Sequence, residues 1–527
     1  MNESEMLKKT IVNFCNNYVY IYIYGAGARA KKLYTILKAL KIDFQGFIVT
    51  EENKKTYLGK AVYTIREVQD DLDNTVGIIS GFKGGDERTL RSFVGKMPGI
   101  LYLEKLNFVT FLYYSALLPI VEKVSAKYPA GEMVPCNKWR NVLVVRLDVL
   151  GDLIMTSAFL RELRANLLAP STRITLVVRR SNAGLFANCP YIDDLCLYDP
   201  LDADPLTVQT LRGQEILHHV ENYISTSVIG HKKYDVAIQP QILLDGRSFL
   251  ENYMVAFASG ARCQVGRINV LRDEYKCLAK LVKPYMSFLA VEKEEKHEVD
   301  YMLDLLRALG LKVKNNHLET WWNKKNISCD VKNFLASTAY TGDKFILFCL
   351  TGSIETKNWP PEKYGELARK IFSMYKFAKI IIVGDRNASS TAEKVKEIAD
   401  SEKIIDFTGK TTLNDVGVIL KSCQLYVGAD TGIMHMAAAQ GVPVVEISTA
   451  LPGCTAATDV APQRMGPYGV PSQVVMAEKP LDDCRNACYK NFPHCIKQIS
   501  VTRVLTAIVS FMGEGLSAEN NNWHNNI

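Results

Sequence analysis

The chain is 527 residues long, 48% hydrophobic and 23% charged, a balance ordinary for a globular protein of about three domains. Its formal net charge of +7 suits an anionic ligand or an anionic membrane surface, and falls far short of the dense basic stripe of a nucleic-acid binder. The 13 cysteines are odd in number and mostly scattered, as expected in a reducing cytosol rather than in a disulfide framework. The opening MNESEMLKKT has no apolar signal-peptide core, and no run of roughly 18 apolar residues occurs, so neither a secretion signal nor a spanning helix is expected.

In chain order, a first α/β unit is expected from about residue 17 to about 105. Tyr18 to Tyr24 is a β-branched and aromatic run, hence a strand. Gly25-Ala-Gly27-Ala-Arg-Ala30 follows, then helical spacing from Lys31 to Leu40 and strand-like runs at Phe44 to Val49 and Val76 to Ser80. The richest apolar patch, Phe108 to Val121, reads as a buried helix, the alternative being a segment that touches a bilayer surface. Ser125 to Lys138 contains Pro129, Gly131 and Pro135 and reads as a linker.

A second unit starts with the apolar strand ending at Val145, the turn Arg146-Leu-Asp-Val-Leu-Gly151-Asp152 and a helix from Leu153 to Asn166. Strands follow at Arg173 to Val178 and Tyr234 to Ile238. A helix from Glu298 to Leu309 stops at Gly310, a plausible closing glycine. Beyond the polar segment from Lys312 to about Lys332 the rhythm restarts. Strands are expected at Phe345 to Leu350, Lys379 to Val383, Leu425 to Gly428 and Val442 to Ile447, with helices at Pro361 to Tyr375, Leu413 to Ser422 and Ile433 to Gln440. Alternating strands and helices imply parallel sheets covered on both faces. The expected domains are 1–137, 138–325 and 326–527. The tail from Ser517 to Ile527 is Asn-rich and expected to fray.

Three turns sit at the carboxyl ends of strands, where open α/β sheets place their working residues. In the first, Gly151 permits a tight turn and Asp152 lies at the start of a helix. It reads either as a base able to take a proton from a hydroxyl or as a helix-capping aspartate. In the second, Thr351, Gly352 and Ser353 offer hydroxyls and a bare amide, and Lys357 a point charge, all suited to phosphate; the other reading is a polar loop with an exposed lysine. In the third, the amides of Thr431 and Gly432 open a helix and make an anion site. Asp430 faces the same space, and His435 reads either as part of the site or as a satisfied buried histidine.

Gly151-Asp152, Lys357-Asn-Trp359-Pro360, and Asp430-Thr431-Gly432 followed by His435 occur in one order over roughly residues 140 to 510. As an ordered set they resemble glycosyltransferase family 9, the heptosyltransferases of lipopolysaccharide core synthesis. Phe407 to Leu413 and Glu298-Val-Asp300 also look like family stretches.

The resemblance implies an α/β chain of GT-B fold, two Rossmann-like domains, here preceded by a third small Rossmann-like domain. Residues 138–325 would be the acceptor side and 326–527 the nucleotide-sugar donor side. It implies an inverting, metal-independent transfer from an ADP-sugar, heptose above all, to a lipopolysaccharide core or related lipid-linked saccharide. The enzyme would be cytoplasmic, in peripheral contact with the inner face of the membrane, and would require no cofactor. By position, Asp152 would be the base and Lys357 would hold the diphosphate with help from Thr351. Asp430 would bind the transferred sugar, and the Thr431 and Gly432 amides phosphate.

Other readings are a transferase for another nucleotide-sugar in capsule or O-antigen synthesis, and a nucleotide-sugar-binding protein without activity. Where family members carry an acid soon after the strand ending at Gly384, this chain has Asp385-Arg-Asn-Ala-Ser-Ser, so that nucleotide contact does not carry over.

Two further features stand apart. Cys484-x3-Cys488-x6-Cys495 reads as a packed turn or as a metal site completed by His494; its spacing is not a standard zinc pattern. Gly25-x-Gly27-x-x-Ala30 is a dinucleotide-type turn, with Glu51 or Glu52 standing slightly late for the usual ribose-binding acid. The alternative is a structural or docking domain with an empty pocket.

Overall fold

The computed structural model describes residues 3–25, 28–49, 55–68, 75–80, 99–102, 121–167, 171–200, 213–242, 249–269, 271, 282–338, 342–455, 461–481, 484, 488 and 492–513. Gly27, Glu51, Glu52, residues 108–120 of the apolar patch and the 517–527 tail lie outside them. Two compact units emerge. One comprises residues 1–134 and 199–293, the other 135–198 and 294–527.

In the first unit, strands Thr56–Tyr57, Lys60–Thr64, Gly46–Val49, Tyr20–Tyr24, Val76–Ser80 and Gly99–Tyr102 lie side by side in that order. All pairings are parallel except the hairpin between the first two. The central strands Gly46–Val49 and Val76–Ser80 are buried along their length, whereas the edge strands Thr56–Tyr57 and Lys60–Thr64 are polar in part and only half-buried. Ile23, Phe47 and Ile79 are buried, and Leu33 and Leu37 of the helix Ala28–Ala39 pack on them. The Gly25 turn stands where strand order reverses, between Tyr20–Tyr24 and Val76–Ser80. Gly25 has a φ of 98°, a left-handed value that favours glycine, and Ala30, in the first turn of the helix Ala28–Ala39, is buried in the core. The same unit holds a parallel ladder of Val236–Ile242, Cys263–Asn269 and Phe288–Glu292. There the buried Arg267 is neutralised by Glu292.

In the second unit, Asn141–Val145, Arg173–Arg179 and Asp194–Tyr198 form a parallel ladder. A six-stranded parallel sheet follows, ordered Ile404–Asp406, Ala378–Val383, Lys344–Cys349, Cys423–Ala429, Val444–Ile447, Ser472–Val475. In chain order this is 3-2-1-4-5-6, the doubly wound arrangement whose ligand crevice opens where strand order reverses. Here the reversal falls between Lys344–Cys349 and Cys423–Ala429. Ile346, Phe348, Ile380, Ile382 and Val427 are buried, with Leu367 and Ile371 from helix Pro361–Met374 and Val504 and Ile508 from helix Val501–Met512 packed around them. Burying each such side chain contributes roughly 1.5–3 kcal/mol. The strand expected from Val442 begins at Val444, because Gly441 (φ 76°) and Pro443 still belong to the turn. Gly310 closes helix Glu298–Ala308 with a φ of 80°, as expected.

Candidate active site

The site is built on the reversal point of the second unit's sheet. Cys349 pairs with Gly428, and Gly428 with Glu446, so three neighbouring strands end at one level. The loop after Cys349 carries Thr351 to Lys357, and the turn after Ala429 carries Asp430 to Gly432. Connectivity alone therefore brings the second and third sequence turns together.

Lys357 Nζ donates to Asp430 Oδ2 at 2.7 Å and to the Asp430 carbonyl at 3.1 Å. The two side chains are only 15% and 17% exposed, so the lysine is not a surface charge and the pair is held in reduced dielectric. Gly352 makes this possible: a Cβ there would lie 2.6 Å from Lys357 Cβ. Its amide donates to Asn358 Oδ1 at 2.8 Å, which pins the loop. Thr351 is half-buried and Ser353 exposed.

Helix Gly432–Ala439 begins at Thr431, which makes no side-chain cap. The Thr431 hydroxyl lies instead 3.3 Å from Tyr426 Oη. The helix amides thus keep the positive end of the dipole uncovered by a side chain, as an anion site requires.

Asp152 comes from the other end of the unit's chain. Helix Leu150–Asn166 is capped at Val149 without a side-chain bond, so Asp152 sits in its first turn and is not the cap. Arg146, fully buried, holds the turn. Its Nε donates to Thr156 Oγ1 at 3.1 Å and its Nη2 to the Asp152 carbonyl at 3.4 Å. Its guanidinium lies 3.2 Å from Asp148 Oδ2 and 4.0 Å from Asp152 Oδ1.

The two helix starts touch. A Cβ on Gly151 would come within 2.7 Å of His435 Cδ2, and one on Gly432 within 2.6 Å of Leu150 Cδ2. The turn that carries Asp152 therefore packs on the helix that carries His435. Burial pushes the His435 pKa down to about 4, against the pull of the Asp430 carboxylate. His435 is neutral at pH 7, its Nε2 is 4.0 Å from Asp430 Oδ1, and its Nδ1 has no hydrogen-bond partner among the described residues. The satisfied-histidine reading is met only in part.

Three contributors went unread in the sequence. Arg146 closes an otherwise apolar strand, and that charge was its signal. Glu446 stands inside the apolar run Val444–Ile447 and is 1% exposed. Burial first, then the Asp430 charge, push its carboxyl up to about 8, so it holds a proton at pH 7, and its Oε2 has no hydrogen-bond partner among the described residues. His297 caps helix Glu298–Ala308 by accepting from the Val299 amide at 3.2 Å, while its Nε2 donates to the Gly466 carbonyl at 3.1 Å. Burial lowers its pKa to about 4.

The second unit thus has a doubly wound α/β sheet with a lysine–aspartate pair and an uncapped helix start at its reversal point, where such sheets open their ligand crevice. Comparison narrows this. The model of glycosyltransferase family 9 (heptosyltransferase) matches residues 230–489. The lipooligosaccharide heptosyltransferase 2 of Haemophilus influenzae is 28% identical over 125 residues, 22% of this chain and 35% of the relative. The match thus spans about a third of that curated relative's length. The solved glycosyl transferase family 9 structure from Veillonella parvula DSM 2008 is similar with a TM-score of 0.55 at 20% identity, over 72% of this chain and 99% of that one. The ADP-heptose LPS heptosyltransferase II of E. coli has a TM-score of 0.47 at 16% identity, over 71% and 98%. Residues 230–489 thus match glycosyltransferase family 9, and the chain shares the two-domain GT-B fold of the solved family 9 structure, with an additional N-terminal α/β segment.

Proposed function

We propose that this protein is an inverting glycosyltransferase that moves heptose from ADP-heptose to a lipopolysaccharide core or related lipid-linked saccharide, with no metal in the transfer step. The observation that carries the reading is the half-buried Lys357–Asp430 pair beside the Thr431–Gly432 helix start, with the Asp152 turn packed against the same helix. Transfer breaks the bond between the sugar's anomeric carbon and the diphosphate oxygen. The departing ADP gains negative charge, and groups already in place there stabilise the transition state more than the ground state. Lys357 Nζ and the Thr431 and Gly432 amides supply that charge, with Thr351 and Ser353 as hydroxyl donors on the Gly352 loop. Asp430 orients Lys357 and accepts from sugar hydroxyls. Asp152 takes the proton of the acceptor hydroxyl as it attacks from the opposite face, and Arg146 fixes the turn that presents it. Neutral His435 spaces the two helix starts.

In this reading residues 138–325 bind the acceptor, residues 326–527 bind the donor, and residues 1–137, with the Gly25, Gly27 and Ala30 turn, serve docking rather than nucleotide binding. The work is done at the inner face of the cytoplasmic membrane. Among the described residues no helix is long and apolar enough to cross a membrane.

The test is thermal shift with ADP, UDP, GDP, CMP and NAD, followed by turnover with the stabilising donor and a glycolipid acceptor. Stabilisation by ADP and turnover of ADP-heptose are expected. Asp152→Asn should abolish turnover and keep donor binding; surviving turnover refutes the base assignment. Preference for another nucleotide keeps the transfer but moves the protein to another envelope saccharide, and binding without any turnover leaves a sugar-nucleotide-binding protein.

A further inference from the structure

A second cluster of reactive side chains lies apart from these residues in sequence, in the chain between strand Ser472–Val475 and helix Val501–Met512. Cys484, Cys488, His494 and Cys495 direct one ligand atom each into a common space, and all four atoms lie within 4.8 Å of one another. The edges of the figure are informative. Sγ of Cys484 and Sγ of Cys488 are 3.8 Å apart. Nδ1 of His494 lies 3.8 Å from the Cys484 sulfur, 3.6 Å from that of Cys488 and 3.3 Å from that of Cys495.

A tetrahedral ion with metal–sulfur bonds of about 2.3 Å and a metal–nitrogen bond of about 2.05 Å requires sulfur–sulfur edges of about 3.8 Å and sulfur–nitrogen edges of about 3.6 Å. The four measured separations scatter about those values. A disulfide would need sulfurs about 2.05 Å apart, and all three cysteines are thiols. Leu451, Ala477 and Leu481 wall the cluster. Three sulfurs gathered around one imidazole nitrogen form a soft ligand set, and four protein ligands leave no open position, the mark of a structural rather than a catalytic site.

We infer that Cys484, Cys488, His494 and Cys495 bind one tetrahedral, thiolate-preferring divalent ion, zinc or iron. The site ties down a chain that returns to the Lys357 segment. Directly after Cys495, the carbonyl of Lys497 accepts from Lys363 Nζ at 2.7 Å. The carbonyl of Ile499 accepts from Lys363 Nζ at 2.8 Å and from Trp359 Nε1 at 3.1 Å. Trp359 is two residues beyond Lys357 and fully buried. The ion therefore stiffens the support of the Lys357 loop without touching it.

The experiment is metal analysis by inductively coupled plasma mass spectrometry on the full chain, purified without chelators. About one ion per chain is expected from a closed four-ligand site, and its identity separates zinc from iron. A mercurial that caps thiols should release it into a chromogenic chelator. Cobalt added to the stripped protein should give thiolate-to-metal absorption. Cys484→Ser and Cys488→Ser should lose the ion, whereas Cys329→Ser, outside the cluster, should keep it. If the serine variants fail to fold, the release and cobalt measurements on the unaltered chain still decide. Substoichiometric metal with no cobalt–thiolate band overturns the inference, as does a Cys484→Ser protein that retains its metal.

Discussion

Replacing Glu446 by Gln removes a buried acid that keeps its proton only because it is folded. In the unfolded chain this carboxyl ionises near 4.5, and in the folded protein near 8. Between those values the unfolded state binds fewer protons, so this residue makes the protein lose stability as pH rises through that window. One pKa unit corresponds to about 1.4 kcal/mol. Between pH 5 and pH 9 the loss is therefore on the order of 4 kcal/mol, and glutamine, a close mimic of the protonated acid, does not incur it. Melting of wild type and Glu446→Gln at pH 5, 7 and 9 is the assay. The melting temperatures should nearly coincide at pH 5. At pH 9 the variant should be ahead by on the order of 5 °C, with matching gains in amide-exchange protection on strand Val444–Ile447. A difference that stays constant across this range refutes the buried, protonated assignment, and so does a variant that is less stable at pH 9.

Acid acts with the opposite sign through the two histidines. His297 and His435 have folded pKa values near 4, against 6.5 in the unfolded chain, so stability should fall as pH drops from 6.5 to 4, by about 3 kcal/mol for each; His435→Gln should flatten its share in denaturation curves. Lys357→Met should lower kcat by about 100-fold or more, the usual cost of losing one transition-state donor, and steady-state kinetics should show a smaller change in KM. Gly151→Ala drives a Cβ to within 2.7 Å of His435 Cδ2; a destabilisation of about 1–3 kcal/mol is expected, read by urea denaturation, with reduced turnover because the Asp152 turn is displaced.

Much of this protein was legible in its sequence because the signals are local. Apolar runs bounded by turns gave the strands Asn141–Val145, Lys344–Cys349 and Cys423–Ala429, since a strand covered on both faces must be apolar along its length. The same locality exposed the turns bearing Asp152, Lys357 and Asp430, because polar residues and glycines directly after such a strand interrupt an otherwise simple pattern. That Asp430 follows strand Cys423–Ala429 and Lys357 follows Lys344–Cys349 was readable; that these strands are neighbours was not.

Tertiary structure alone decided what depends on proximity between distant residues. The pairing of Lys357 with Asp430 spans 73 positions, and the packing of Gly151 on His435 joins helices from opposite ends of the second unit. Glu446 is an ordinary acid in sequence; only burial beside Asp430 turns it into a proton carrier at pH 7. Arg146 became a support for the Asp152 turn once the fold enclosed it, and the ligand atoms of Cys484, Cys488, His494 and Cys495 come within 4.8 Å of one another only in the folded chain. Sequence determines where a residue stands along a strand, helix or turn. Dielectric, clearance and ligand geometry belong to the space between elements, and that space exists only in the folded chain.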